Sequence, residues 1–129
     1  MESISLNNKN KIQAIMLQIE KSILLLKVWN RDIKDVNDFL LSPEGMKDLA
    51  ANCMLIEAIG EGFKKVDKLT DKKLLSLYPS IPWEDVIGIR NHIAHAYFDI
   101  DAEIIFNVIT NHLDPLLDAT RFFHEKLSK

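Results

Sequence analysis

Cysteine is nearly absent from this chain of 129 residues, which contains only Cys53. A single cysteine cannot form an internal disulfide, and such scarcity is typical of a reducing compartment. No apolar run approaches ~20 residues, the length that spans a bilayer, and the polar first residues contain no signal-like apolar segment. We therefore expect a cytoplasmic protein that does not act in a membrane.

The chain also lacks an excess of basic charge. Its formal net charge is −3, whereas proteins that capture nucleic acid through bulk electrostatics are usually basic. Any contact with RNA would have to be local, and one candidate is a group of lysines: Lys64, Lys65, Lys68, Lys72 and Lys73. The simpler interpretation is a solvated helix end whose lysines favour the C-terminal dipole.

Strand-like alternation, internal repeats, low-complexity tracts and interdomain linkers are absent as well. Apolar residues instead recur at helical spacing along most of the chain, and hydrophobic residues make up 47 % of it. The sequence predicts one all-α domain over residues 1–129. We expect an antiparallel, up-and-down bundle of about four or five helices.

The first helix is predicted over residues 9–30, with a core face of Ile12, Met16, Ile19, Ile23 and Leu26. Four further apolar residues widen that face and predict substantial burial: Leu17, Leu24, Leu25 and Val28. A polar connection with a short apolar piece follows over residues 31–41.

A second long helix is predicted to begin at Ser42-Pro43-Glu44, because serine caps helices and proline tolerates the first turn. Its inner face comprises Met46, Leu49, Cys53, Ile56, Gly60 and Phe63. Gly60 and Gly62 each cost about 1 kcal/mol relative to alanine inside a helix. Close helix–helix approach, in the monomer or across a dimer, would explain them, and fraying is the alternative.

The rest of the chain predicts three more helices. A short one over residues 70–78 is capped by Thr70, and a fourth runs from near Pro82 to about Tyr97. Residues 98–101 end it. The last helix is capped by Asp99 or Asp101, and Pro115 should kink it near Asn111, because proline lacks an N–H.

The fourth predicted helix carries polar groups that a bundle does not need. They are Arg90, Asn91, His95 and Tyr97. Arginine is a planar phosphate clamp, and histidine exchanges protons near neutral pH. His95 could accept a proton from a ribose 2′-hydroxyl or return one to the leaving 5′-oxygen, while Arg90 stabilises the phosphate charge of the transition state. Asn91 could orient the imidazole or bind a phosphate oxygen. The chemistry that these groups permit is cleavage of the RNA backbone, and it needs no metal.

On one continuous helix, Asn91 and His95 would lie one turn apart on the same side, and Arg90 and Tyr97 would also be nearly aligned. Arg90 and His95 would diverge by about 140°. One helix would then not point both at a small target, whereas two copies related by a two-fold axis could line a shared cleft. The spacing therefore favours a dimeric site.

Simpler interpretations exist for each residue alone. An arginine and a histidine on one helix are often surface or satisfied core groups, and a tyrosine is often a core aromatic. His92 is expected to face solvent. Metal binding by His92 and His95 is disfavoured, because no cysteine or carboxylate completes a ligand set. No Gly-rich phosphate loop or zinc motif is present, and we expect no metal or cofactor.

The segment from Ile81-Pro82-Trp83 through Arg90-Asn91, His95 and Tyr97 to Asp99-Ile100-Asp101 closely resembles the signature of HepT-like proteins in the HEPN superfamily. Ile59-Gly60-Glu61 resembles a second landmark of that family. Ala96 stands where many relatives have glycine, and Gly62 where many have alanine. The resemblance in helix order covers nearly the whole chain, and the specific motif about a sixth of it.

The resemblance implies a homodimeric ribonuclease toxin of a toxin–antitoxin pair, with Arg90 and His95 catalytic and Asn91 assisting. Its implied partner is an MntA-like minimal nucleotidyltransferase antitoxin, which neutralises the toxin by transferring AMP to Tyr97. The alternative is a non-catalytic helical subunit that presents substrate or nucleotide to such a nucleotidyltransferase. The acidic net charge is compatible with that alternative.

Overall fold

The computed structural model describes residues 4–96 and 99–128, with the backbone alone at residues 94–96. Three long helices form its framework: α1 (Leu6–Trp29), α3 (Pro43–Leu69) and α7 (Leu113–Ser128). Helix α1 packs against both α3 and α7. Four shorter α-helices also lie in the described part of the chain: α2 (Asn37–Leu40), α4 (Trp83–Ile87), α5 (Arg90–Ile93) and α6 (Ala102–Asn111). The predicted all-α class is confirmed.

The core face of α1 is the one that the helical spacing predicts. Ile12, Ile23 and Leu26 are fully buried, and Met16 and Ile19 nearly so. The predicted widening of this face is wrong, because its four residues lie on the side away from α3 and α7 and are 40–54 % exposed: Leu17, Leu24, Leu25 and Val28. The apolar surface of α1 is thus wider than its neighbours can cover.

Helix α3 begins where the sequence predicts. The Ser42 hydroxyl accepts a hydrogen bond from the Gly45 N–H at 2.9 Å, and Pro43 occupies the first turn. Such a cap satisfies an N–H that has no partner within the helix. The inner face is confirmed from Leu49 onward, but Met46 is 59 % exposed and does not belong to it.

Close packing within the monomer explains the two glycines of α3. A β-carbon on Gly60 would lie 2.8 Å from the Val86 carbonyl oxygen and 2.8 Å from Cγ2 of Ile89. A β-carbon on Gly62 would lie 3.0 Å from Cδ1 of Ile19 on α1. Gly60 therefore allows the α4 backbone to rest directly on α3.

The segment after α3 differs from the prediction. Helix α3 continues to Leu69, so Thr70 is its C-cap rather than the N-cap of a new helix. Asp71 and Lys72 have positive φ values of 53° and 63°, which stop helical continuation. Only one 3₁₀ turn follows, at Leu75–Leu77.

Helices α1 and α3 are also joined by a buried amide pair that the apolar pattern does not reveal. Nδ2 of Asn30 donates to Oδ1 of Asn52 at 2.7 Å, and Nδ2 of Asn52 donates to Oδ1 of Asn30 at 2.8 Å. Asn52 is only 1 % exposed. The reciprocal bonds satisfy polar groups that would otherwise be costly to bury.

The predicted last helix is present and is interrupted as expected. The Asp101 carboxylate accepts hydrogen bonds from the N–H groups of Glu103 and Ile104, each at 3.1 Å, which identifies Asp101 as the cap. Helix α6 ends at Asn111, and α7 begins at Leu113. Because Pro115 cannot donate to the carbonyl one turn earlier, the helix breaks at this point.

Candidate functional site

The segment with the proposed catalytic groups is not the single helix that the sequence predicts. Helix α4 ends at Ile87, Gly88 and Ile89 form a turn, and α5 covers only Arg90–Ile93. A short strand, β1 (Ala94–Ala96), follows and pairs antiparallel with β2 (Asp99–Ile100). The prediction of a continuous helix to about Tyr97 is therefore wrong.

The hydrogen-bond pattern shows how the helix is interrupted. The N–H groups of Ile89, Asn91 and His92 donate to carbonyls three residues earlier, at 3.3, 3.0 and 2.9 Å. Such bonds tighten the turn relative to an α-helix. Periodicity in the sequence did not reveal this change, because the apolar residues Val86, Ile89 and Ile93 keep helical spacing across it.

Backbone pairing fixes the end of α5. The Asp101 N–H donates to the Ile93 carbonyl at 2.8 Å, and Ala94 pairs with Ile100. His95 therefore lies on a strand, and Arg90 lies at the start of the preceding helix. The divergence of about 140° expected between Arg90 and His95 assumed one continuous helix, so it does not apply to this structure. The expected alignments of Asn91 with His95 and of Arg90 with Tyr97 lose their basis for the same reason.

Trp83 anchors the start of this segment. Its ring centroid lies 4.9 Å from that of Phe63 on α3 and 5.6 Å from that of Phe123 on α7. Its indole N–H donates to the Tyr78 carbonyl at 2.9 Å. Aromatic packing and a satisfied N–H together fix the position of α4 on the framework.

Arg90 and Asn91 are exposed, and Ile93, on the same short helix, is completely buried. The buried isoleucine holds α5 on the core while the polar groups face solvent. Among the side chains that the structure describes, none forms an ion pair with the Arg90 guanidinium. The guanidinium is thus accessible to a phosphate from outside. His92 is exposed, as expected.

Two of the predicted site groups cannot be placed. The side chain of His95 and the whole of Tyr97 lie outside the described residues. Their roles stay predictions that derive from the sequence motif.

The lysine group lies at the far end of α3 and in the turn after it. Lys64, Lys65, Lys68, Lys72 and Lys73 are all exposed. Lys68 is in the last turn of α3, where a cation complements the helix dipole. This position agrees with the interpretation of the lysine group as a solvated helix end. It does not test the alternative, a contact with RNA.

A cavity of about 350 Å³ lies next to the motif segment. Ile56, Ile59 and Leu116 contribute buried apolar surface, and Asp85, His92, Asn107 and His112 are exposed polar residues that line its opening. An apolar interior with a few polar groups is typical of ligand pockets. The sequence alone did not reveal it, because its walls come from five separate helices.

The cysteine of the chain is not suited to nucleophilic chemistry. Burial, and then the negative charge of Glu57, raise the pKa of the Cys53 thiol from 9.0 to about 11. Its Sγ lies 3.9 Å from Oε1 of Glu57. A thiol that stays protonated at neutral pH is a poor nucleophile.

None of the helices in the described part of the chain combines the length and hydropathy needed to cross a membrane.

Comparison with known proteins identifies one family. The family model described as Ribonuclease HepT-like matches residues 19–122. A candidate RNase of Methanocaldococcus jannaschii is 30 % identical over 84 residues, which cover 63 % of this chain and 66 % of the relative. A second candidate RNase of that organism is 26 % identical over 102 residues, which cover 79 % and 86 %. A Thermococcus cleftensis protein named as a candidate ribonuclease HepT is 30 % identical over 98 residues, which cover 76 % of this chain and 82 % of the relative. No solved structure matches the chain.

Proposed function

We propose that this chain, which belongs to the HepT-like ribonuclease family, is a metal-independent endoribonuclease and the toxin of a toxin–antitoxin pair. The observation that carries the proposal is the exposed Arg90 on a helix fixed to the core by Ile93. His95 follows within the same motif, and Asn91 is exposed beside Arg90. A phosphate clamp and a proton-exchanging group thus come from one short, well-anchored segment.

The proposed reaction is an internal transesterification. The 2′-oxygen of a ribose attacks the adjoining phosphorus, a new P–O2′ bond forms, and the P–O5′ bond breaks. The imidazole of His95 from one copy of the chain removes the 2′-hydroxyl proton or supplies a proton to the leaving 5′-oxygen. Arg90 stabilises the negative charge that builds up on the phosphate oxygens, and Asn91 binds a phosphate oxygen or orients the imidazole. The products are a 2′,3′-cyclic phosphate and a 5′-hydroxyl.

A homodimer is part of this proposal. The reaction needs a proton acceptor and a proton donor, and two copies of the motif facing one cleft would supply two imidazoles. The family resemblance supports this arrangement. The helix-based argument for a dimer does not, since the helix ends at Ile93.

We further propose that an MntA-like nucleotidyltransferase neutralises the toxin at Tyr97. In that step the phenolic oxygen attacks the α-phosphorus of ATP, a P–O bond to tyrosine forms, and pyrophosphate leaves while the phenol loses its proton. The added AMP brings bulk and negative charge two residues from His95. Both would oppose the entry of an RNA phosphate.

The test is cleavage of a single-stranded RNA by the purified chain in EDTA, with analysis of the product ends. We expect a cyclic phosphate and a 5′-hydroxyl, and complete loss of cleavage in Arg90→Ala and His95→Ala. Arg31→Ala is the matched control, because Arg31 is an exposed arginine in the remote connection after α1. Cleavage that persists in both motif variants would exclude the proposal.

The competing function is a non-catalytic subunit that presents nucleotide or substrate to a nucleotidyltransferase, and the net charge of −3 is compatible with it. It predicts tight binding of the partner without RNA cleavage and without growth inhibition when the chain is expressed alone. The toxin proposal predicts that growth slows and that Arg90→Ala restores it.

A further inference from the structure

The cavity of about 350 Å³ lies directly beside the proposed nuclease site. Val86, Ile89 and His92 line it from the same segment that carries Arg90. Arg90 and His92 are two residues apart in α5, a rise of about 3 Å along a helix axis. At about 100° per residue their side chains leave the helix about 160° apart, and Arg90 does not line the cavity. A nucleotide with its base in the cavity meets Arg90 only where the long, exposed arginine side chain turns toward the cavity.

The volume and the lining residues of the cavity suit a nucleobase. Its interior is buried aliphatic surface from α3 and α7, including Ile56 and Leu116, which suits the faces of a planar ring. Its opening carries the imidazoles of His92 and His112, which can stack on a base. Single-stranded RNA is commonly recognised in this way, with the base faces stacked and the base edge hydrogen-bonded.

The hydrogen-bonding groups at the opening are held in place. Nδ2 of Asn111 donates to Oδ1 of Asn107 at 2.7 Å, and Nδ2 of Asn107 lies 3.3 Å from Nε2 of His112. The Asn107 amide is thus oriented by two neighbours and keeps one N–H and one lone pair for a ligand. A fixed donor and acceptor pair can read a base edge.

Asp85 decides which part of a nucleotide fits. It is an exposed carboxylate at the edge of the cavity, so it opposes a phosphate there and favours a neutral group that donates hydrogen bonds. Exocyclic amino groups of adenine, guanine and cytosine are such donors, whereas uracil has no exocyclic amino group and offers only its ring N3–H. The volume is near the lower end of small-ligand pockets, and it suits a single base rather than a helix of another protein.

We propose that this cavity binds the nucleobase next to the cleaved phosphate, and that Asp85 selects bases with an exocyclic amino group. The proposal rests on the ribonuclease function, because it names how the substrate of that same site is read.

The test uses the full chain with His95→Ala, so that binding is measured independently of cleavage. Each of the four 5′-nucleoside monophosphates is titrated while the backbone amide NMR signals are followed. We expect shifts concentrated at the cavity residues, with uridine monophosphate binding weakest. Asp85→Asn should weaken the other three about tenfold and remove their advantage over uridine, because a charge-assisted hydrogen bond is lost. Ile104→Trp, which adds bulk at the cavity wall, should abolish binding.

Glu84→Gln is the matched control, since Glu84 is an exposed carboxylate next to Asp85 that does not line the cavity. It should leave binding unchanged. Absence of nucleotide binding, or equal loss with Glu84→Gln, overturns the proposal even if RNA is cleaved normally. If Ile104→Trp or Asp85→Asn instead dissociates a dimer and leaves nucleotide shifts unaltered, the cavity is filled by a second copy. Nucleotide binding without RNA cleavage would overturn the ribonuclease function and leave base binding standing.

Discussion

Gly60 of α3 and Val86 of α4 meet through backbone contact: a β-carbon on Gly60 would lie only 2.8 Å from the Val86 carbonyl oxygen. Three residues after Val86, Ile89 also packs on Gly60, and Arg90 follows immediately. The position of the candidate nuclease segment therefore depends on the absence of a side chain on the opposite helix.

Gly60→Ala should displace α4 and lower RNA cleavage. The added methyl group meets backbone, which cannot rotate away, and overpacking of this kind costs about 1–3 kcal/mol. Higher helix propensity returns up to about 1 kcal/mol, so we expect a net loss of about 1–2 kcal/mol in the free energy of unfolding. Urea denaturation measures this loss, and kcat/KM for RNA cleavage measures how far the displacement of α4 impairs the site.

Gly62→Ala is the control for that substitution. Its β-carbon would meet the end of the Ile19 side chain, at 3.0 Å from Cδ1, rather than backbone. The side chain can move by a few tenths of an ångström, so the free energy of unfolding should stay within about 1 kcal/mol of the parent. If both alanine variants behaved alike, backbone contact at Gly60 would not be what fixes α4.

Trp83→Ala should destabilise the fold far more than Trp29→Ala. Trp83 packs on Phe63 and Phe123 and donates to the Tyr78 carbonyl, whereas Trp29 is 44 % exposed at the end of α1. Truncating a packed tryptophan costs about 3–5 kcal/mol, and the half-buried Trp83 belongs near the lower end. We expect less than about 1 kcal/mol for Trp29. Thermal unfolding of the two variants checks the difference.

The buried amide pair supplies a further stability test. Asn52→Ala removes both reciprocal bonds and leaves Oδ1 of the half-buried Asn30 without its donor, while Nδ2 of Asn30 keeps its bond to the Leu26 carbonyl. The variant should cost about 1–3 kcal/mol in the free energy of unfolding. Asn111→Ala removes an exposed amide bond to Asn107 and should cost less than about 0.5 kcal/mol. If the two variants lost the same free energy of unfolding in urea denaturation, burial of the Asn52 amide would not contribute to stability.

Local chemistry in the sequence predicted several helix ends, although it wrongly made Thr70 the N-cap of a new helix. Ser42 and Asp101 cap α3 and α6 as expected, and Pro115 separates α6 from α7. Each of these effects acts within one helical turn, so residues close in sequence are sufficient to predict it. The close approach at Gly60 was likewise foreseen as one of two explanations for a glycine inside a helix.

Features that depend on distant residues were not predictable in the same way. Leu24 and Val28 fit the apolar pattern of α1, but neighbouring helices do not reach them. Helix propensity across residues 88–97 gave no sign that Ile100 would pair with Ala94 and draw the chain into a strand. The placement of His95 on a strand was missed for that reason, although the motif itself was recognised from the sequence.

Cys53 should be unreactive in the folded protein. Burial and the Glu57 carboxylate raise its pKa from 9.0 to about 11, so at pH 8 its thiolate fraction falls about hundredfold relative to the unfolded chain. Iodoacetamide should therefore alkylate it about a hundred times more slowly in buffer than in denaturant. Equal rates would show that the thiol is accessible and ionised normally.

The raised pKa of Cys53 also makes the free energy of unfolding depend on pH in the alkaline range. Below pH 9 the thiol is protonated in both states, and its contribution to stability is complete. Between pH 9 and about 11 the unfolded thiol ionises while the folded thiol does not, so the free energy of unfolding falls as the pH rises. Cys53→Ala should remove this part of the pH dependence, which urea denaturation across that range measures.

Subunit mixing tests whether the nuclease site is shared between two copies. Arg90→Ala and His95→Ala should each be inactive alone, because each removes one of the groups that the reaction needs. If each cleft needs only one Arg90 from one copy and one His95 from the other, a mixed dimer contains one intact cleft of two, and up to about half of the parent activity should return. If the cleft needs two imidazoles, as the proposed reaction does, mixed dimers should stay inactive.

The two variants must exchange subunits for this comparison to be informative. Differently tagged copies, denatured together and refolded, can be purified by both tags so that only mixed dimers are assayed. A mixture of parent and Arg31→Ala chains, treated identically, controls for losses during refolding. Inactive mixed dimers of normal stability would mean that each site needs both arginines or both histidines, or takes its arginine and histidine from the same copy. A chain that sediments as a monomer and still cleaves RNA would exclude the shared site altogether, because one copy would then suffice for both proton transfers.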